Sequence, residues 1–212
     1  MLELVAPADI EKASFSIIAR ELSERGVSFP DELAPVIMRV IHTTADFDYA
    51  GTLRFSPDVL GIIKRAVLDG ADIVTDTNMA LSGINRKVLA RFGGQAHCFM
   101  ADADVAALAA AENLTRAAVS MRKARGIDKP LIFAVGNAPT ALTQLCSLIE
   151  SGFEPVAVIG VPVGFVNVTA AKEMIMRSGV PYIVSEGRKG GSAVAAAICN
   201  AVLYQLDGSG NV

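Results

Sequence analysis

Tryptophan is absent from these 212 residues, and aromatic residues make up only 6% of them. A platform for stacking nucleic-acid bases is therefore not expected, because such platforms are built from aromatic rings. Clustered basic charge is missing too. The 19 Lys and Arg residues stand against 22 Asp and Glu, for a net charge of −3, and no basic run marks a phosphate footprint. No nucleic-acid partner is predicted. Long apolar runs are also lacking: none approaches the roughly 18 residues of a spanning helix, so no membrane partner is predicted either. The N-terminus carries no basic leader or cleavage pattern, which predicts a cytoplasmic protein. Cys98, Cys146 and Cys199 are far apart, odd in number and without metal-ligand spacing. In a reducing cytoplasm they are read as small buried apolar residues.

What is present is enough apolar material for a core, 52% of the chain, in a length suited to one domain over residues 1–212. The rhythm of that material is regular. Pro7-Ala-Asp9 opens a helix that keeps apolar spacing to Gly26, and Asp31 caps a second helix through Val40. Asp48 to Phe55 reads as a strand broken by Gly51, and Ser56-Pro57-Asp58 as a hydroxyl-capped helix start. Short apolar strands follow at 72–76, 95–100, 130–135, 155–159 and 181–185, separated by helices that include 84–92, 105–125 with an interruption near Asn113, and 192–206. Alternation of this kind predicts an α/β, three-layer, doubly wound and mostly parallel sheet. About five strands run parallel, and the Tyr49 strand is an added edge or a dimer element. Residues 207–212 are read as a loose tail.

Only two histidines occur. His42 ends an apolar helical run, with Thr43, Thr44, Asp46 and Asp48 after it. An imidazole at such a boundary can deliver a proton near neutral pH, or it can merely cap the helix C-terminus. His97 lies mid-strand and is read as structural. Ser14, on the first helix, is a packing residue or a ligand-facing hydroxyl. Four loops leave the carboxyl ends of strands, at 75–79, 136–140, 160–167 and 186–192, each feeding a helix N-terminus, and the last contains Arg188 and Lys189. Any one of them is ordinary turn chemistry; together they predict an anion pocket. None matches a dinucleotide or phosphate-loop fingerprint, so no nucleotide cofactor is indicated.

The ordered segments Ser14-Phe-Ser-Ile-Ile18, Val40-Ile-His42, Phe55-Ser-Pro-Asp58, Gly136-Asn-Ala-Pro-Thr-Ala-Leu142, Gly160-Val-Pro-Val-Gly-Phe-Val166 and Gly187-Arg-Lys-Gly-Gly-Ser-Ala193 resemble the precorrin-8X (cobalt-precorrin-8) methylmutase family of cobalamin biosynthesis over nearly the whole chain. The resemblance implies a flavodoxin-like fold, a homodimer with the site near the subunit contact, and a polycarboxylate tetrapyrrole substrate. It also implies an isomerisation that moves a methyl group from C-11 to C-12 without cofactor or catalytic metal. His42 would be the catalytic acid. Ser14 matches a substrate-contacting hydroxyl, Arg116 and Arg188 match carboxylate-binding positions, and Lys189 would add an anion contact. Asn85 sits where relatives can carry threonine, and Gly136 and Asn137 would bind substrate through their loop. Two other functions stay open from the sequence: a non-catalytic corrinoid carrier, which needs basic loops but no proton donor, and a flavin-binding module.

Overall fold

The computed structural model describes residue 6 and residues 9–208. Its centre is a six-stranded sheet of β1 (Leu53–Phe55), β2 (Asp72–Thr75), β3 (Ala96–His97), β4 (Leu131–Val135), β5 (Ala157–Gly160) and β6 (Tyr182–Ser185), in the order β1-β6-β5-β4-β2-β3. β1 pairs antiparallel with β6, and every other pairing is parallel. The five parallel strands thus follow the flavodoxin-like order, with the topological switch between β2 and β4.

Helices cover both faces, which is why β2, β4 and β5 are buried at every position and why β4 and β5 read as unbroken apolar runs. The pleat divides their side chains. Ile132 and Ala134 join the core under α1 (Ile10–Glu24), α2 (Ala34–Thr44), α4 (Val59–Leu68) and α11 (Ser192–Asp207). Leu131, Phe133 and Val135 join the core on the other face, under α8 (Arg116–Ala124), α9 (Pro139–Glu150) and α10 (Val168–Arg177). The expected three layers are there, with the antiparallel strand at the edge.

Boundaries differ from expectation where polar side chains redirect the backbone. Residues 48–55 are not one strand: α3 (Tyr49–Thr52) is a single helical turn, and only Leu53–Phe55 pair in the sheet. Asp46 accepts from the Asp48 N–H at 3.0 Å, a local turn that competes with strand formation. Ser56 does not cap α4; its hydroxyl accepts from the Tyr182 N–H at 2.9 Å, and Asp58, at φ 52°, precedes the helix. The expected 84–92 helix is the shorter α6 (Arg86–Arg91), capped by Asn85, and a separate short helix not expected from the sequence, α5 (Asn78–Gly83), precedes it. The region from 103 to 124 breaks as expected into α7 (Ala103–Ala111) and α8, with Asn113 left-handed at φ 54°. Pro7, Ala8 and residues 209–212 lie outside the described residues. Asp207, read as tail, instead ends α11 and pairs with Arg91.

Candidate active site

α2 continues through His42 to Thr44 and stops where Ala45 turns left-handed, its N–H donating to Ile41 O at 2.7 Å. Thr43 and Thr44 fold their hydroxyls back on Arg39 O and Val40 O. His42 is exposed, and neither of its ring nitrogens bonds to the protein among the described residues. His42 thus stands in the last turn of α2, where the capping reading put it, and both of its ring nitrogens stay open to a ligand. The ring lies against buried Phe15, centroids 5.1 Å apart.

That contact puts α1 beside the imidazole. Together they line an open depression of about 300 Å³ with Ser14, Ile17, Glu21, His42, Ala45 and Phe47 on its walls. Ser14 donates to Ile10 O at 2.9 Å, which leaves its oxygen lone pairs free to accept. Glu21 is held by Arg25 at 3.1 Å. The depression is thus largely apolar, with one hydroxyl, one imidazole and, held by Arg25, one carboxylate on its walls.

Arg39 orders this corner and carried no role in the sequence reading. One turn before His42, it is buried, pairs with Glu11 at 2.9 Å, and lies between the rings of Phe15 and Tyr204, 5.1 and 4.7 Å from their centroids. A buried guanidinium between two aromatic faces fixes α1 and α11 against α2. Asn85 belongs to the same scaffold. It caps α6 by accepting from the Val88 N–H, its own N–H donates to Asn200, and its amide reaches Tyr204 Oη at 3.4 Å.

Across the switch point the expected anion cradle is already filled. Asp76, only 1% exposed, accepts from the N–H groups of Gly136, Asn137 and Ala138 at 2.8, 2.8 and 2.6 Å. The amides of Gly136 and Asn137 are therefore not free for a substrate carboxylate, which corrects the loop-amide argument. Burial raises the Asp76 carboxyl above its ordinary range, against the pull of the three amides. Gly136 is required for packing, since a Cβ there would stand 2.7 Å from Ser192 Cα.

Lys189 is also engaged. Its ammonium bridges Asp46 at 2.6 Å and Asp48 at 2.7 Å, tying the β6–α11 loop to the segment after His42. The hydrogen bond from Lys189 holds the Asp46 carboxyl below its usual range. Arg188 beside it is exposed, 5.4 Å over the ring of Phe165, with no carboxylate partner among the described residues. Arg116 starts α8 in the opposite layer, exposed and unpaired among the described residues. One copy of the chain does not bring it to His42. His97 donates to or accepts from Asp72 at 2.7 Å, within a cluster completed by Lys129 and the Gln95 N–H. That cluster stands at the opposite end of β2 from Asp76, away from the depression. Cys146 and Cys199 are buried, and Cys98 is partly exposed.

Comparison with known proteins meets this geometry. A profile of the precorrin-8X methylmutase family matches residues 9–205. The cobalt-precorrin-8 methylmutase of Salmonella typhimurium is 45% identical over 205 residues, covering 94% of this chain and 96% of the relative. The precorrin-8X methylmutase of Pseudomonas aeruginosa is 37% identical over 201 residues, covering 93% and 95%. The crystal structure of the Thermus thermophilus precorrin-8X methylmutase superposes with a TM-score of 0.86 at 37% identity, covering 95% of this chain and 99% of that one. An exposed, unbonded imidazole over an apolar depression, on a chain matched to this family from end to end, leaves one assignment: the protein belongs to the precorrin-8X methylmutase family.

Proposed function

We propose that this chain moves a methyl group from C-11 to C-12 of precorrin-8X or cobalt-precorrin-8, giving the corrin chromophore of hydrogenobyrinate or cobyrinate. The observation that carries the reading is His42, exposed, free of protein hydrogen bonds and set on the wall of the depression. The rearrangement is redox-neutral: the bond from the methyl carbon to C-11 breaks, its bond to C-12 forms, and the ring electrons shift to match. What the protein must supply is orientation and a bias in the charge of the macrocycle. His42 donates a proton or hydrogen bond to a ring nitrogen, and Ser14, its proton held by Ile10 O, accepts at the edge of the macrocycle. Arg188, stacked over Phe165 but with no carboxylate partner among the described residues, pairs with a peripheral carboxylate.

A depression of about 300 Å³ is at the small end for a ligand site, and a tetrapyrrole needs a second wall. A second copy of the chain supplies that wall in this reading, with Arg116 as its basic contribution. Exposed apolar side chains on the β5–α10 loop beside Arg188, Phe165 at 81% and Val166 next to it, support such a contact.

The test is His42→Ala with the macrocycle, followed by visible absorbance, since corrin formation changes the colour. The variant should bind the corrin product as the parent does and lose about 10²–10⁴-fold in turnover. Conversion at the parent rate would remove His42 from the chemistry. A parent protein that binds product but converts no substrate would make the chain a carrier.

A further inference from the structure

Lys172 is a lysine in the core. It is 1% exposed, on α10, and no carboxylate bonds its ammonium. Nζ donates instead to Gly187 O at 2.9 Å, Lys189 O at 2.8 Å and Ser185 Oγ at 3.2 Å. Ser185 in turn donates to Lys189 O at 2.8 Å. A buried charge with no counterion is costly, and a core tolerates one only where it satisfies other buried polar groups. Here those groups belong to a single loop, the glycine-rich segment between β6 and α11.

That loop has no regular structure to hold it. Gly187, Gly190 and Gly191 have φ of 73°, 157° and 142°, a backbone most residues cannot follow. Its outer ties reach two neighbouring segments. Gly164 N–H donates to Arg188 O at 3.2 Å and Gly191 N–H to Val161 O at 2.8 Å, joining it to the β5–α10 loop. Lys189 joins it to Asp46 and Asp48 after His42. The ammonium of Lys172 is where the inner side of the loop is gathered.

We propose that Lys172 is a positioning residue of the methylmutase: its ammonium fixes the Gly187–Lys189 backbone and thereby aims Arg188 at the substrate and anchors the segment that follows His42. This rests on the reading of the His42 edge as the corrinoid site. Lys172 itself touches no substrate. Its work is done through two carbonyls and a hydroxyl.

The charge state of Lys172 makes the device pH-dependent. Burial lowers the ammonium from the ordinary lysine range to about 8. The ionisable groups on the elements around it are Cys146 and Glu150 on α9, Tyr182 on β6, Glu173 and Arg177 on its own helix, and Glu186, Arg188 and Lys189 on the loop. None bonds Nζ; Glu186 is engaged by Arg54 and Glu173 by Arg177. Above about pH 8 the neutral amine keeps two N–H donors for three oxygens, and one tie to the loop is released.

The experiment measures kcat and KM of the parent enzyme and of Lys172→Met from pH 6.5 to 9.5, with visible absorbance as the readout. In Lys172→Met, KM should rise about tenfold or more at pH 7 while kcat stays within about threefold, because the loop holds the substrate periphery rather than the reacting carbons. In the parent, KM should climb above about pH 8, and that inflection should be missing from the variant. If Lys172→Met does not fold, the parent profile still decides: a KM flat from pH 7 to 9.5 sinks the proposal. An unchanged KM in a folded Lys172→Met sinks it too. A parent enzyme without turnover would instead sink the functional reading on which it rests.

Discussion

Removing the Asp76 carboxylate should damage the fold more than removing any surface charge. Asp76→Ala strips the three amides of Gly136, Asn137 and Ala138 of their acceptor in a place where Asp76 and Gly136 are buried. A buried donor left unpaired costs about 1–3 kcal/mol; only the Gly136 N–H is fully buried, and those of Asn137 and Ala138, reachable by water, add less, for roughly 2–6 kcal/mol in all. The variant also relieves the burial of the carboxyl, which favours the lower part of that range, about 2–4 kcal/mol. For a chain of this size each kcal/mol moves the thermal midpoint by about 2–4 °C, so the drop should be about 4–16 °C. Calorimetry of parent, Asp76→Ala and Asp76→Asn measures it. The asparagine variant keeps one acceptor oxygen and should lose less. The pH dependence has a defined sign. Because folding raises the Asp76 carboxyl, the folded chain holds its proton more readily than the unfolded chain. Its contribution to stability is full at acid pH and is lost as pH rises through the folded value. The advantage of the parent over Asp76→Asn should therefore shrink from acid toward neutral pH. An Asp76→Ala midpoint within about 2 °C of the parent would refute the bracing role.

If Arg116 reaches the site only from a second copy, Arg116→Ala and His42→Ala should each be inactive alone and partly active together. Mixed and re-equilibrated dimers put both lesions in one site and leave the other whole, restoring about a quarter of parent turnover; recovery of none would place Arg116 elsewhere. Thiol reactivity separates the three cysteines: burial pushes Cys146 up to about 11 and Cys199 up to about 12. At pH 8 a disulfide reagent should modify one thiol of the native chain, the partly exposed Cys98, and all three after denaturation, because the thiolate is the attacking form. Three reactive thiols in the native chain would contradict their burial.

The sheet was legible in the sequence because its residues carry the signal locally. Leu131 to Val135 is an apolar run of strand length, and a run buried on both faces has nowhere else to go. The place of His42 at the end of an apolar helix was legible for a similar reason, from the run of Val36 to Ile41 before it. Strand 48–55 was misread because Tyr49, Leu53 and Phe55 suit a strand while Asp46 and Asp48 make a turn, and short-range hydrogen bonds outweighed apolar content. Asn85 gave a visible cap signal only in retrospect, being the polar residue just before Arg86-Lys-Val-Leu.

Asp76, Arg39 and Lys172 share a different reason for having been missed. Each is charged, and in a sequence a charged residue in an apolar neighbourhood reads as surface, because burial of a charge is decided by partners far along the chain. Asp76 is closed off by residues 136–138, Arg39 by Phe15 and Tyr204, and Lys172 by Ser185 to Lys189. Each then braces backbone or helix positions from inside the fold, Arg39 on the helix that carries His42 and Lys172 under the loop that carries Arg188. The division of labour follows from the cost of desolvation: a charge that bonds a ligand must stay accessible and unpaired, whereas a charge that braces a loop must give up its water and spend its bonds inside. In this fold the flavodoxin-like switch point, where a phosphate would sit, is closed by the protein's own carboxylate. The proposed site lies elsewhere, on the antiparallel side of the sheet, where α1, α2 and the Lys189 loop meet.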